Sequence, residues 1–150
     1  MDQLDRTLLA HLAEDATIAY RDLGARLGLS APAVFERVKK LKAQGVIRRT
    51  TIEIAPETID RPLLAYVHVN TEGWGKTPEL LALGEDPRVE EIHAVAGDTC
   101  MILKVRCENT QALEKLLKKI YDVPGIKGTR SYIALNTYLE RNVRAELANQ

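Results

Sequence analysis

This chain of 150 residues has no long apolar run, few aromatic residues and no net charge. No apolar run approaches the ~18–20 residues that a membrane-spanning helix requires, so we expect no membrane partner. The first seven residues are polar and contain no signal-peptide core, so we expect a cytoplasmic protein. With one Trp and one Phe, aromatic stacking on nucleic-acid bases is not an expected binding mode.

Cysteine and histidine are also scarce. If Cys100 and Cys107 lie on one strand, their odd separation places them on opposite faces, which argues against an intrastrand disulfide and fits a reducing compartment. The three histidines lack metal-ligand spacing. A metal ion shared by His93 and Cys100 stays open as an alternative, but we predict no metal and no cofactor.

Catalytic motifs are absent as well. Ser30 and Ser131 are the only serines, and neither lies in a Gly-x-Ser-x-Gly motif. The triplet at 75–77, Gly-Lys-Thr, suggests a phosphate-binding loop, but that motif needs a glycine where Asn70 stands. We predict a loop and a helix cap there, in a protein that is not an enzyme. The rival is a small enzyme with a cleft of titratable groups such as Asp98 or His93.

Positive charge is concentrated in one segment. Residues 30–52 contain six basic residues and one acid, Glu36, whereas residues 63–150 contain 11 basic and 12 acidic residues. A run of charge is usually a solvated helix face. Because the field of a neutral molecule is weak, a nucleic-acid contact would have to come from residues 30–52.

The first 45 residues have the pattern of three short helices. Leu4, Leu8, Leu9 and Leu12 recur at helical spacing, and Asp2 or Asp5 can support the first turn. A second helix covers YRDLGARLG and ends at Gly28. The third, SAPAVFERVKKLKAQG, is capped by Ser30 and buries Val34, Val38 and Leu41. This arrangement predicts a helix-turn-helix, and VIRRTTIEIAP predicts a wing strand or a linker strand.

Double-stranded DNA is therefore the predicted partner of the N-terminal part. The N-terminus of a recognition helix enters the major groove, and the small residues Ser30, Ala31, Pro32 and Ala33 allow close approach. Arg37 could donate two hydrogen bonds to a guanine, and Ala33 could contact a thymine methyl. We assign Lys40, Arg48 and Arg49 to phosphates, and we predict Arg21 as a further DNA contact.

From Leu63 onward the pattern alternates between strands and helices. The segments LLAYVHVNT, VEEIHAVAG, TCMILKVRC and GIKGTRSYIALNTYLE predict strands, with Gly97-Asp98 as a tight turn. The segments TPELLALGED and NTQALEKLLKKIYDV predict helices. The order is β-α-β-β-α-β, a ferredoxin-like arrangement. We expect a further short helix in ERNVRAELANQ.

The chain resembles the Lrp/AsnC (feast/famine) family of transcription regulators almost from end to end. The segment from Leu4 to Ile47 is similar to the family's DNA-binding half, HAVAGDTCMILKVR to its strand–Gly-Asp–strand motif, and VPGIKGTRSYIAL to its closing strand. The resemblance implies an α+β protein with a simple or winged helix-turn-helix and a ferredoxin-like regulatory domain. It also implies homodimers that often assemble into octamers, and an amino-acid effector.

The same resemblance implies where that effector binds. Its residues would be Gly97, Asp98, Thr99, Cys100, Thr129 and Ser131. Many members have a second acid followed by an aromatic residue where this chain has Cys100 and Met101. The effector is therefore expected to be more apolar, to bind differently or to be absent.

We predict a sequence-specific DNA-binding transcription regulator that responds to an amino acid or a related small molecule. The predicted domains are a helix-turn-helix over 1–52, a linker over 53–62 and an effector-binding and oligomerisation domain over 63–150. A sheet with helices on one face leaves its other face bare, and a second copy would cover it. The alternative function is an architectural DNA-binding protein that needs no effector.

Overall fold

The computed structural model describes residues 1–73, 77–143 and 145. They group into two compact units, the N-terminal unit (residues 1–53, with the described residues from Leu139 onward) and the C-terminal unit (residues 54–138). None of the helices in the described ranges has the length and apolar character to cross a membrane.

The N-terminal unit contains three helices, α1 (Gln3–Glu14), α2 (Tyr20–Leu27) and α3 (Ala31–Ala43). Asp2 caps α1, and its side chain and that of Asp5 form a capping box. Gly28 ends α2 in the left-handed conformation, with φ 67° and ψ 31°. The Ser30 hydroxyl accepts a hydrogen bond from the Ala33 amide (3.3 Å) and starts α3. The ends at Gly28 and Ser30 are the ones predicted, and the three helices form a helix-turn-helix.

A small apolar core holds the three helices together. The buried residues are Leu8, Leu23, Val34, Val38 and Leu41. Gly24 allows the close approach of α2 to the turn before α3, because a Cβ there would lie 2.5 Å from the main-chain oxygen of Leu29. The predicted helices and their core stripe are confirmed.

The wing strand is not present. Residues 46–55 contain no strand, and the only regular element between α3 and the sheet is a 3₁₀ helix, Pro56–Ile59. The alternating apolar residues of this segment are exposed, Ile52 by 78% and Ile54 by 51%. Alternation alone does not make a strand, because its backbone needs a hydrogen-bonding neighbour, and the described residues provide none here.

The C-terminal unit is a four-stranded antiparallel sheet with helices on one face. Its elements are β1 (Leu63–Thr71), α4 (Pro78–Leu81) with a 3₁₀ turn (Ala82–Glu85), β2 (Val89–Ala94), β3 (Met101–Cys107), α5 (Thr110–Tyr121) and β4 (Ile126–Ile133). The strand order is β2-β3-β1-β4. This order and the βαββαβ sequence confirm the ferredoxin-like prediction. The predicted helix cap at Thr77 is also present.

The core of this unit lies between the sheet and α5. Val67, Val69, Leu103, Leu116 and Ile120 are among its fully buried residues. The opposite face of the sheet, here called the open face, has no helix over it among the described elements. Tyr66 and Tyr132 face each other across β1 and β4 on this face and are 40% and 50% exposed.

The β2–β3 connection differs from the predicted two-residue turn. Strand β2 ends at Ala94 and β3 begins at Met101, so six residues (95–100, the hairpin loop) connect them. The Val95 amide donates to the Cys100 carbonyl (3.1 Å) across the ends of the loop, and the loop also bonds to β1. The amide of Cys100 donates to the Val69 carbonyl (3.2 Å), and the Thr99 hydroxyl lies 3.1 Å from the same carbonyl oxygen.

The last predicted helix is not seen where the chain is described. Residues 140–143 and 145 have no helical structure. The rest of that predicted helix, 144 and 146–150, lies outside the described residues, as do Trp74, Gly75 and Lys76 of the loop before Thr77.

Candidate functional site

The surface of α3 and the segment after it carries positive charge without counter-charge. Lys39, Lys40, Lys42, Arg48 and Arg49 (the basic patch) are all exposed. None of the five side chains forms an ion pair or a hydrogen bond with another described residue. An uncompensated cluster of this kind attracts a polyanion, and the Coulomb attraction falls with added salt.

The beginning of α3 consists of small residues that are exposed or half-buried. The Ser30 cap is exposed, Pro32 is exposed and occupies the first turn, and Ala31 and Ala33 are half-buried. Small residues at a helix N-terminus allow another backbone to approach, and the positive end of the helix dipole favours an anion there. The four residues predicted to lie nearest DNA are therefore adjacent on one accessible helix end.

Arg37 has partners that its position in the sequence did not reveal. Its Nη1 donates to Asp2 Oδ2 and to Asp5 Oδ1, both at 2.7 Å. The Asp5 amide and the Arg37 guanidinium hold the pKa of Asp2 below its ordinary value. Because Nη1 is engaged by both carboxylates, a guanine contact by Arg37 would have to use its other N–H groups or replace these bonds, and that contact stays a prediction.

Arg21 is the predicted DNA contact outside α3. It lies in the first turn of α2, its side chain is 87% exposed, and its Nε is 3.3 Å from the carboxylate of Asp22. An exposed pair of neighbouring residues is weakly bound, so the guanidinium is free to move to another anion. Its contact with DNA stays a prediction.

The predicted effector residues of the hairpin loop differ in accessibility. Thr99 is buried, and its hydroxyl lies within hydrogen-bond distance of the Val69 and Met101 carbonyls. Asp98 is open to solvent, with its side chain 79% exposed and Oδ2 3.6 Å from Arg130 Nη1. A Cβ added at Gly97 would meet no atom within 4 Å. Asp98 and Gly97 are therefore accessible, whereas Thr99 fixes the loop.

Two further predicted effector residues, Thr129 and Ser131, lie on the helix-covered side of the sheet. Thr129 and Ser131 pair with Val69 and Val67, so their side chains point to the helix-covered face. The Thr129 amide donates to the Tyr121 hydroxyl (3.2 Å). Arg130 lies between them and points to the open face, where it meets Asp98. Within one chain, Asp98 is therefore not directed at Thr129 or Ser131.

Sequence reasoning missed Arg130 and Tyr132 as features of this region. Both lie on the open face, where the Tyr132 ring is 4.9 Å from the ring of His68. Hydrogen bonding to Tyr132 and the charge of Asp98 raise the pKa of Arg130. The period-two rule applied to TRSYI would have separated Arg130 and Tyr132 from Thr129 and Ser131.

The metal alternative has no geometric support in the part of the chain that is described. No three side chains of His, Cys, Asp or Glu come together there in a way that could hold a metal ion. His93 instead lies 2.7 Å from Glu91 on the same strand.

A helix-turn-helix with a basic surface, followed in the chain by a ferredoxin-like domain, defines a class of two-domain transcription regulators. Comparison with known protein families shows which family of such regulators this chain matches. Residues 1–42 match the AsnC-type helix-turn-helix domain, and residues 64–144 match the Lrp/AsnC ligand binding domain. The chain belongs to the Lrp/AsnC family and is a transcription regulator.

Individual relatives agree with this family over nearly the full chain. The HTH-type transcriptional regulator FL11 of Pyrococcus horikoshii is 31% identical, and the match covers 93% of this chain and 93% of FL11. The HTH-type transcriptional regulator LrpA of Mycobacterium tuberculosis is 34% identical, and the match covers 92% of each chain. A solved structure, the feast or famine regulatory protein from M. tuberculosis complexed with L-methionine, is 33% identical. Its TM-score is 0.89, and the match covers 97% of this chain and 99% of that one.

Proposed function

We propose that this Lrp/AsnC regulator binds double-stranded DNA through the basic patch and the beginning of α3, and that an amino acid or related small molecule bound by the C-terminal unit modulates the binding. The observation that carries the DNA-binding part is the absence of any counter-charge to the basic patch among the described residues. Phosphates would supply that counter-charge.

The residues have separate roles in this proposal. Ser30, Ala31, Pro32 and Ala33 bring the helix end close to base edges. Arg21, Lys40, Arg48 and Arg49 contact phosphates, which sets affinity and register but not sequence. We also retain the domain boundaries at 1–52, 53–62 and 63–150 as part of the proposal.

In-vitro selection from random duplexes tests the DNA-binding part. The full chain should enrich a roughly two-fold symmetric sequence, with half-sites about one helical turn apart if it binds as a dimer. Enrichment of no sequence, together with binding that depends only on duplex length, would favour the effector-independent architectural protein.

Two observations support an amino-acid effector. The M. tuberculosis relative was solved with L-methionine. In this chain, an accessible carboxylate and guanidinium, Asp98 and Arg130, lie 3.6 Å apart, and a zwitterionic amino acid carries the two complementary charges. The loop beside them is open at Gly97. The effector residues of the proposal remain Gly97, Asp98, Thr99, Cys100, Thr129 and Ser131. Because Asp98 is not directed at Thr129 or Ser131 within one chain, a single effector would contact both groups only where two copies of the chain meet.

A thermal-shift screen against the amino acids tests this part. A ligand that binds the folded state raises the melting temperature as its concentration exceeds Kd. Gly97→Trp should abolish the shift while leaving DNA binding intact, and Gly84→Ala, in the 3₁₀ turn of the same unit, serves as a control. If no amino acid changes the melting temperature or the DNA affinity, the effector proposal is wrong.

Self-association is the third part of the proposal, and the open face supports it. Tyr66 and Tyr132 are large exposed residues on a sheet face that no described helix covers, and a second copy could bury them. We expect a homodimer or a larger homo-oligomer such as an octamer. Light scattering should show Tyr132→Lys at a smaller mass than the wild type, and equal masses would argue against this surface.

A further inference from the structure

The one acid of the basic segment, Glu36, occupies the outward face of α3. It lies midway between Val34 and Val38, which are 0% and 3% exposed. Each residue of an α-helix turns the side-chain direction by about 100°, so Glu36 is about 200° from both. Its side chain therefore points directly away from the core. Pro32 and Lys40, one turn before and after it, share this outward stripe.

Glu36 is exposed, and its side chain has no ion pair or hydrogen bond with another described residue. Lys39 and Lys40 stand three and four residues later, the spacing at which helical ion pairs form, but neither contacts the carboxylate. Arg37, by contrast, turns toward α1 and is held by Asp2 and Asp5. Of Glu36 and Arg37, which are adjacent in the sequence, Glu36 is therefore the one whose side chain is available to a binding partner.

A free carboxylate in this position needs a chemical reason. When α3 enters a major groove, its outward stripe meets base edges, and the phosphates on both sides repel a negative charge. The repulsion is offset where the carboxylate accepts a hydrogen bond from an exocyclic amino group. Cytosine N4 is such a donor, and Glu and Asp are the side chains suited to it.

We propose that Glu36 is a specificity-determining residue that accepts a hydrogen bond from a cytosine amino group in each half-site. Arg37 is then a positioning residue, which fixes α3 against α1 through Asp2 and Asp5. This inference rests on the proposed DNA binding, but it concerns which base is preferred and not whether DNA is bound.

The test compares Glu36→Gln and Glu36→Ala with the wild type on the selected duplex and on single base-pair variants of it. The wild type should prefer cytosine at one position per half-site by about tenfold or more. Glu36→Ala should lose that preference, and Glu36→Gln should move it toward adenine, which presents a donor and an acceptor to an amide. Glu14→Gln, an exposed acid at the end of α1, is the matched control and should keep the wild-type preferences.

A different result is expected if Glu36 does not contact a base. If Glu36 is only a solvated side chain, Glu36→Ala and Glu36→Gln will bind all duplexes more tightly by the same factor, because a repulsive charge has gone. An even gain with unchanged base preferences overturns the inference while leaving the proposed function intact. A wild type that binds no duplex overturns both. Circular dichroism of each variant separates these outcomes from unfolding.

Discussion

The two units of this molecule use charge in opposite ways. In the N-terminal unit the basic patch has no counter-charge among the described residues, and α1 supplies carboxylates only to Arg37. In the C-terminal unit several basic residues are paired with acids, Arg88 and Lys119 with Asp86, and Arg106 and Lys104 with Glu90, while the exposed Arg130 and Asp98 form a looser pair at 3.6 Å.

This difference separates the charges that stabilise the fold from those that are free to bind a partner. Paired and partly buried charges fix the positions of strands and helices within the C-terminal unit, and their fields largely cancel. Unpaired exposed charges contribute little to stability but create a local potential that a polyanion can use. A neutral chain therefore contains a cationic surface because its compensating acids are paired elsewhere.

The largest expected effect is on the paired charges. Asp86→Ala removes a carboxylate that is 5% exposed and bonded to Arg88 (2.7 and 2.9 Å) and Lys119 (3.1 Å). The half-buried guanidinium of Arg88 then keeps only its hydrogen bond to the Ala112 carbonyl (3.1 Å), so we expect a loss of about 3 kcal/mol in the free energy of unfolding. Denaturant titration followed by circular dichroism measures it.

The same pair predicts a pH dependence. Arg88 first, and Lys119 less strongly, hold the pKa of Asp86 well below its ordinary value of 3.8. A lowered folded-state pKa means that the pair stabilises the fold above about pH 4 and that this contribution is lost as the pH falls below it. The difference between wild type and Asp86→Ala should shrink on acidification. A constant difference, or an equal loss in the exposed control Glu85→Gln, would contradict this account.

The next effect concerns the packing that positions α3. Gly24→Ala places a Cβ 2.5 Å from the main-chain oxygen of Leu29, and backbone in a turn cannot move aside easily. We expect a loss of about 1–3 kcal/mol and weaker DNA binding. Gly97→Ala is the control, because its added Cβ meets no atom within 4 Å. If the two alanine variants are equally stable, the close approach of α2 to the turn has no energetic importance.

A smaller effect on stability is expected from replacing Arg37. This residue lies in the basic segment, but its guanidinium is paired with carboxylates. Arg37→Ala should lower the melting temperature and weaken binding to all duplexes evenly, because α3 loses its link to α1. The cost of Arg37→Ala and Asp5→Ala together should be less than the sum of the two single costs. A relaxed preference at one base position, with an unchanged melting temperature, would instead support the guanine contact predicted from the sequence.

The parts of the fold that depend on local chemistry could be predicted from the sequence. Ser30 and Gly28 define the turn between α2 and α3 through contacts within a few residues, and Val34, Val38 and Leu41 define the core stripe by spacing alone. The alternation and helix caps of the second half similarly give the order of strands and helices.

Features that depend on distant residues could not be predicted. The partners of Arg37 stand 35 and 32 residues before it, and no local pattern connects them. The hairpin loop is longer than Gly97-Asp98 suggests because Thr99 and Cys100 bond to Val69, 30 and 31 residues earlier. Residues 46–55 alternate like a strand, but a strand also requires a neighbour, which a one-dimensional pattern does not supply.

The smallest expected effect per residue is on the salt dependence of DNA binding. Measuring that dependence is also the most direct test of the central claim. Log Kobs of the wild type should fall linearly with log[salt]. In a variant with Lys40, Arg48 and Arg49 replaced by Gln, the slope should become shallower by about one unit for each phosphate contact removed, with base preferences unchanged. A wild-type slope near zero, or equal slopes for the two proteins, would contradict the claim that the unpaired charges of the N-terminal unit bind DNA.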